Sequence, residues 1–156
     1  MIIKIIALGK IKEKFLKDGI DEYLKRLTPY ASIKVLELNP VEIKDENLTE
    51  KTLDKEAEKI LSAIKEESFV ITLEINGKQF SSEDFASKID EIGKSGCSEL
   101  VFVIGSSCGL SKKVSDRANL KLSFSKMTFP HQLMQMILLE QIYRSYRIIS
   151  GEPYHK

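Results

Sequence analysis

The last six residues, Gly151-Glu152-Pro153-Tyr154-His155-Lys156, set an aromatic ring, an imidazole and an ammonium group side by side beyond a proline. Near a bound substrate His155 could accept a proton, Lys156 could neutralise a phosphate or a developing oxyanion, and Tyr154 could stack on a base. An exposed chain end would account for the same residues without chemistry. A second candidate is Gly105-Ser106-Ser107-Cys108-Gly109, which follows a strongly apolar hexapeptide. Its spacing matches neither GxGxxG nor the GxxxxGKS/T loop, so neither a dehydrogenase nor a phosphate-loop NTPase is indicated. What remains is a backbone surface for some other nucleotide-like cofactor. Cys97 and Cys108 lack CxxC spacing and have only His131 and His155 to accompany them, which excludes disulfide scaffolds and zinc clusters; no metal is expected. His131, directly after Pro130 at a helix start, reads as structural.

A chain of 156 residues, 42% hydrophobic and 30% charged, suits one compact soluble domain spanning 1–156. No apolar run approaches the roughly 18 to 20 residues needed to cross a bilayer, and Lys4 interrupts the opening before a signal-peptide core develops. A cytoplasmic protein is expected. Net charge is only +1, but residues 100–156 carry eight Lys/Arg against three Asp/Glu, whereas residues 28–99 carry nine against sixteen. A basic C-terminal third suits a local phosphate-binding face, and solvated surface lysines would produce it equally well.

The elements that must hold these residues alternate. Ile2 to Leu8 reads as a buried strand, and Glu13 to Leu27 as a helix with Leu16, Ile20, Tyr23, Leu24 and Leu27 on one face, stopped by Pro29. Ile33 to Leu38 is a second strand, and the charged stretch from Pro40 to Glu50 is expected to be a mobile loop. Leu53, Ala57, Ile60, Leu61 and Ile64 mark a second helix, and residues 69–75 a third strand ending at an Asn76-Gly77 turn. Ser81 caps a helix with Glu83 and Asp84 in its first turn and Phe85, Ala86, Ile89 and Ile92 on its apolar face. Glu99 to Ile104 is the strongest strand and runs into the glycine loop, with a helix beginning near Ser111. Leu120 to Phe124 reads as a last strand and His131 to Ile149 as a helix about 28 Å long. This order implies a mostly parallel α/β sheet whose ligands bind at the carboxyl ends of its strands.

The last helix sets Leu138, Leu139, Ile142, Tyr146 and Ile149 on one face and Glu140, Arg144 and Arg147 on another. Met134, Ile137 and Ile148 widen its apolar arc beyond one core contact, which suits either packing against an identical subunit or a wholly internal helix.

The segments LSFSKMTFPHQ at 122–132, LEQIYRSYRI at 139–148 and GEPYHK at 151–156 closely resemble the large-subunit ribosomal RNA methyltransferase H family of the SPOUT class. The similarity extends to IIALGKIKEKF near the start and ITLEINGKQFSSEDFA at 71–86. The resemblance implies an α/β sheet flanked by helices with a C-terminal trefoil knot, a topology that general rules would not suggest. It also implies a homodimer with active sites at its interface, S-adenosylmethionine bound in the knot, and methyl transfer to N3 of a pseudouridine in a 23S rRNA stem-loop of the assembled ribosome. The implied cofactor contacts are Leu73, Gly105 and the stretch Phe124, Ser125, Lys126, Met127, Thr128 and Phe129. Tyr154, His155 and Lys156 match the family's tail, which reaches the substrate from the neighbouring subunit, and Arg144 is the implied partner for RNA phosphate.

Two positions depart from the family pattern. Ser106 stands where relatives usually have a second glycine, and Gln135 where they usually have a basic residue. If position 106 requires positive φ, serine adds roughly 1 kcal/mol of strain. Loss of a cation at Gln135 would weaken a nearby phosphate contact. The alternative function, resting on Ser106, is a non-catalytic RNA- or ribosome-binding paralogue of the same fold.

Overall fold

The computed structural model describes residues 1–42 and 49–154. Five strands, β1 (Ile2–Leu8), β2 (Ser32–Leu38), β3 (Phe69–Lys78), β4 (Glu99–Ile104) and β5 (Leu120–Leu122), form one sheet in the order β2-β1-β4-β3-β5. Every pairing is parallel. The helices are α1 (Lys14–Leu27), α2 (Thr49–Ser62), α3 (Ser82–Lys94), α4 (Lys112–Arg117) and α5 (His131–Ile149).

A parallel sheet needs helices on both faces, so its central strand β4 reads as an unbroken apolar run after Glu99, whereas the edge strand β2 alternates. Ile3, Ile5, Phe102 and Ile71 face α1, α3 and α5, whereas Ile6, Leu8, Val70, Val101 and Val103 face Ala57 and Ile60 of α2 and Val114 of α4. All six residues of β4 are buried. Glu99 tolerates this because Ser68 Oγ donates to its Oε2 at 2.7 Å. The expected cap of α3 is present, with Ser81 accepting from Asp84 N–H, and Ser111 caps α4 in the same way through Val114 N–H. Among the described residues no helix is long and apolar enough to cross a membrane.

Three expectations need correcting. β3 does not end at Asn76-Gly77: it continues to Lys78, which pairs with Leu122 after a register shift. Gly77 does not have positive φ; it is glycine because a Cβ there would lie 2.7 Å from the carbonyl carbon of Lys121. β5 stops at Leu122, short of Phe124, since the chain then departs to form one wall of a cavity. On α5, Tyr143 joins the buried face while Tyr146 is half-buried and Ile149 is exposed. The loop expected over Pro40 to Glu50 lies largely outside the described residues, and Thr49 and Glu50 already belong to α2.

Candidate active site

A cavity of about 840 Å³ opens at the carboxyl end of the sheet, beside the later half of β3 and the ends of β4 and β5. Carboxyl ends of parallel strands are where such sheets bind ligands, because successive loops diverge and leave a crevice. Leu73 and Glu74 enter from β3, the loop Gly105–Gly109 from β4, and residues 122–125 and 127–130 from the segment after β5. His131 and Met134, from the first turn of α5, complete the lining.

Local chemistry shapes both loops. Gly109 N–H donates to Ser106 O at 2.9 Å, folding the first loop back on itself. A Cβ at Gly105 would lie 2.6 Å from the Gly109 carbonyl oxygen, so this fold demands glycine at 105. Ser106 has no positive φ, so serine brings no backbone strain to this position. In the second loop Ser123 Oγ donates to Ser125 O at 3.1 Å, and Ser125 Oγ accepts from Met127 N–H at 2.9 Å. These bonds turn the chain sharply and leave Met127 at the rim, 74% exposed.

Of the eight residues expected at a cofactor, seven line this cavity; Lys126 does not, and is exposed. Leu73 and Met127 offer apolar walls. Among the described residues Glu74 is the sole carboxylate of the lining, held by Thr72 Oγ1 at 2.6 Å and Ser115 Oγ at 3.1 Å, and the lining includes no Lys or Arg. Such a lining suits a ligand with cationic groups and an aromatic base, and is ill suited to a dinucleotide pyrophosphate.

The tail residues gather elsewhere. Tyr154 packs edge-on against Tyr143, with ring centroids 4.9 Å apart, and lies under the Arg144 guanidinium at 4.9 Å. Its hydroxyl donates to Glu140 Oε1 at 3.4 Å, a long bond, and the same oxygen takes Arg144 Nε at 3.0 Å. Burial, followed by hydrogen bonding to Tyr23, pushes the Tyr154 phenol up to about 12. Glu152 accepts from Tyr30 Oη at 3.0 Å and pairs with Arg147, whose Nε lies 2.8 Å from Oε2 without directing its N–H at it. Arg147 Nη1 instead donates to Tyr143 Oη at 2.9 Å.

Tyr154 is therefore neither an exposed terminal residue nor, in this arrangement, open for stacking on a base. Arg144 is already paired with Glu140. Tyr143 lies nine residues beyond Met134 on α5, about 13 Å along the axis, so cavity and tail patch are separate within one chain. His155 and Lys156 lie outside the described residues. Gln135, one of the two departures from the family pattern, is 2% exposed, and its Oε1 has no partner among the described residues.

Sequence reasoning overlooked Glu56. It is 2% exposed on α2, with Oε2 accepting from Ser106 Oγ and Oε1 from Val41 N–H, each at 3.1 Å. A signal existed: position 56 falls between Leu53 and Ile60 on the apolar stripe of its helix, where a carboxylate requires an explanation.

A family model described as "Predicted SPOUT methyltransferase" matches residues 1–155. The chain is 56% identical to the ribosomal RNA large subunit methyltransferase H of Carboxydothermus hydrogenoformans, over the whole of both chains. The proteins of that name from Clostridium novyi and Bacillus thuringiensis subsp. konkukian are 56% and 55% identical, again over the whole of both chains.

Proposed function

Given that the chain belongs to the SPOUT methyltransferase family, among the large-subunit ribosomal RNA methyltransferases of type H, we propose that it methylates N3 of a pseudouridine in a 23S rRNA stem-loop of the assembled ribosome, using S-adenosylmethionine. The observation that carries this reading is the gathering of Leu73, Gly105 and five residues of 124–129 around one cavity whose described lining has a single carboxylate and no Lys or Arg. When bound, S-adenosylmethionine supplies an electrophilic methyl group on a sulfonium sulfur. Leu73 and Met127 would flank its adenine and the amides of the glycine loop would meet the base edge, with Glu74 the one carboxylate of the described lining available to its positive charge. The family's trefoil knot belongs to the same proposal.

The remaining chemistry falls to the tail. His155 removes the proton from N3, a weakly acidic imide, and Lys156 or Arg144 stabilises charge on the flanking carbonyl oxygens. The separation of tail patch and cavity along α5 supports a homodimer in which each tail completes the neighbour's site. The half-buried Met134, Ile137 and Ile148 of α5, with Phe15 of the adjoining α1 70% exposed, provide an apolar surface for that association. A cytoplasmic location follows from a ribosomal substrate. The alternative of a non-catalytic paralogue loses its support, because Ser106 is unstrained and hydrogen-bonded.

Calorimetry with S-adenosylmethionine, without added metal, tests the cofactor assignment, and no binding at millimolar concentration would overturn it. Radiolabelled methyl transfer tests the substrate. Whole ribosomes should be methylated and a protein-free stem-loop should not, because a net charge of +1 holds free RNA weakly. Equal rates on both would overturn that part.

A further inference from the structure

Burying a carboxylate is costly unless hydrogen-bond donors replace its water, so the two donors that Glu56 has among the described residues show what holds it in place. One is Val41 N–H, just after β2; the other is the Ser106 hydroxyl, in the loop that floors the cavity. Ser106 is also the pivot of that loop: its carbonyl accepts Gly109 N–H, and its hydroxyl receives a long 3.4 Å approach from Cys108 N–H. Glu56 does not itself line the cavity. The side chain that departs from the family's glycine thus ties the loop to α2 by a side-chain hydrogen bond that glycine could not make.

We propose that Glu56 is a positioning residue for the methyl donor: through Ser106 it fixes the Gly105–Gly109 loop and so sets donor affinity without touching donor or RNA. The proposal rests on the cofactor reading above. It reverses the sign expected for Ser106→Gly. Were serine a strained substitute, glycine would tighten binding; with serine as the anchor, glycine loosens it.

The test uses the full-length protein and two readouts. Calorimetry with S-adenosylhomocysteine, a stable product analogue of the donor, compares wild type with Ser106→Ala, Ser106→Gly, Glu56→Gln and the Glu56→Gln/Ser106→Ala double variant. The second readout, made without ligand, is the alkylation rate of Cys108 in the loop, with Cys97 at the far end of the sheet as internal control and peptide mass spectrometry as detector. Each single variant should weaken binding about tenfold and speed Cys108 alkylation while Cys97 is unchanged. The double variant should be no worse than the singles, because one shared contact is lost once. Ser106→Thr, which keeps the hydroxyl, should restore binding and wild-type Cys108 reactivity. Wild-type affinity and Cys108 reactivity in both Ser106→Ala and Ser106→Gly would overturn the proposal, as would additive losses in the double variant. Should Glu56→Gln fail to fold, the Ser106 variants decide alone, since that side chain is only half-buried. If wild type itself binds no S-adenosylhomocysteine, the cofactor reading falls, and the alkylation rates still report whether Glu56 holds the loop.

Discussion

The two ends of α5 are built from different materials. At its N-terminal end the cavity takes its shape from main chain: two tight loops, a glycine that admits no Cβ and local serine bonds. At its C-terminal end the patch is made by side chains, for all five tyrosines of the chain meet there with three of its four arginines. A main-chain site fails abruptly when a backbone atom is displaced, because each loop moves as a unit. A side-chain site weakens in steps, one hydrogen bond or ring contact at a time. Donor binding and transfer chemistry should therefore be separable by mutation.

The largest effect should come from removing His155 and Lys156 while keeping Tyr154, whose ring is packed on α5. Methyl transfer to ribosomes should fall by about 10² to 10⁴-fold with donor affinity and melting temperature unchanged. Transfer within a few-fold of wild type would merge the two ends that the comparison separates. Next, Gly105→Val should weaken donor binding roughly 100-fold, because the Gly109 carbonyl must move, while the near-ultraviolet circular dichroism of the tyrosine patch stays the same. Mixing these two variants as verified heterodimers should restore part of the activity, since one cavity and one tail remain intact in each pair. Heterodimers without activity would mean that each tail serves its own chain.

Smaller steps sharpen the contrast. Tyr30→Phe removes the hydrogen bond to Glu152 and should lower the transfer rate several-fold, the worth of about 1 kcal/mol, leaving the donor dissociation constant alone. The smallest effect is on pH dependence. Tyr154 in the folded chain holds its proton up to about 12, while in the unfolded chain it releases it near its ordinary value of 10. Between those values the folded state binds more protons, so this stabilising contribution, complete below 10, is lost as pH rises toward 12. Tyr154→Phe should show a shallower alkaline decline in melting temperature and lack the last phenolate step in an absorbance titration.

Features that depend on near neighbours along the chain are legible in the amino-acid sequence. The apolar spacing of Leu16, Ile20 and Leu27, the Ser81 cap and the all-apolar run of β4 after Glu99 each follow from contacts within a few residues or from burial on both faces of a sheet. The terminal motifs likewise point to the family, and with it to seven of the residues that line the cavity. The strand order, the end of β5 and the course of β3 through Asn76-Gly77 are not legible there. That dipeptide favours a turn locally, yet here glycine answers to the Lys121 carbonyl, met only because β5 lies alongside β3. The packing of Tyr154 onto α5 and the Glu56–Ser106 bond are of the same kind, the latter spanning fifty residues. Local propensity acts through the backbone of a few adjacent residues, so sequence alone determined which elements form. Only the folded chain decides which distant atoms share a site, because those contacts depend on the order and register in which the elements pack.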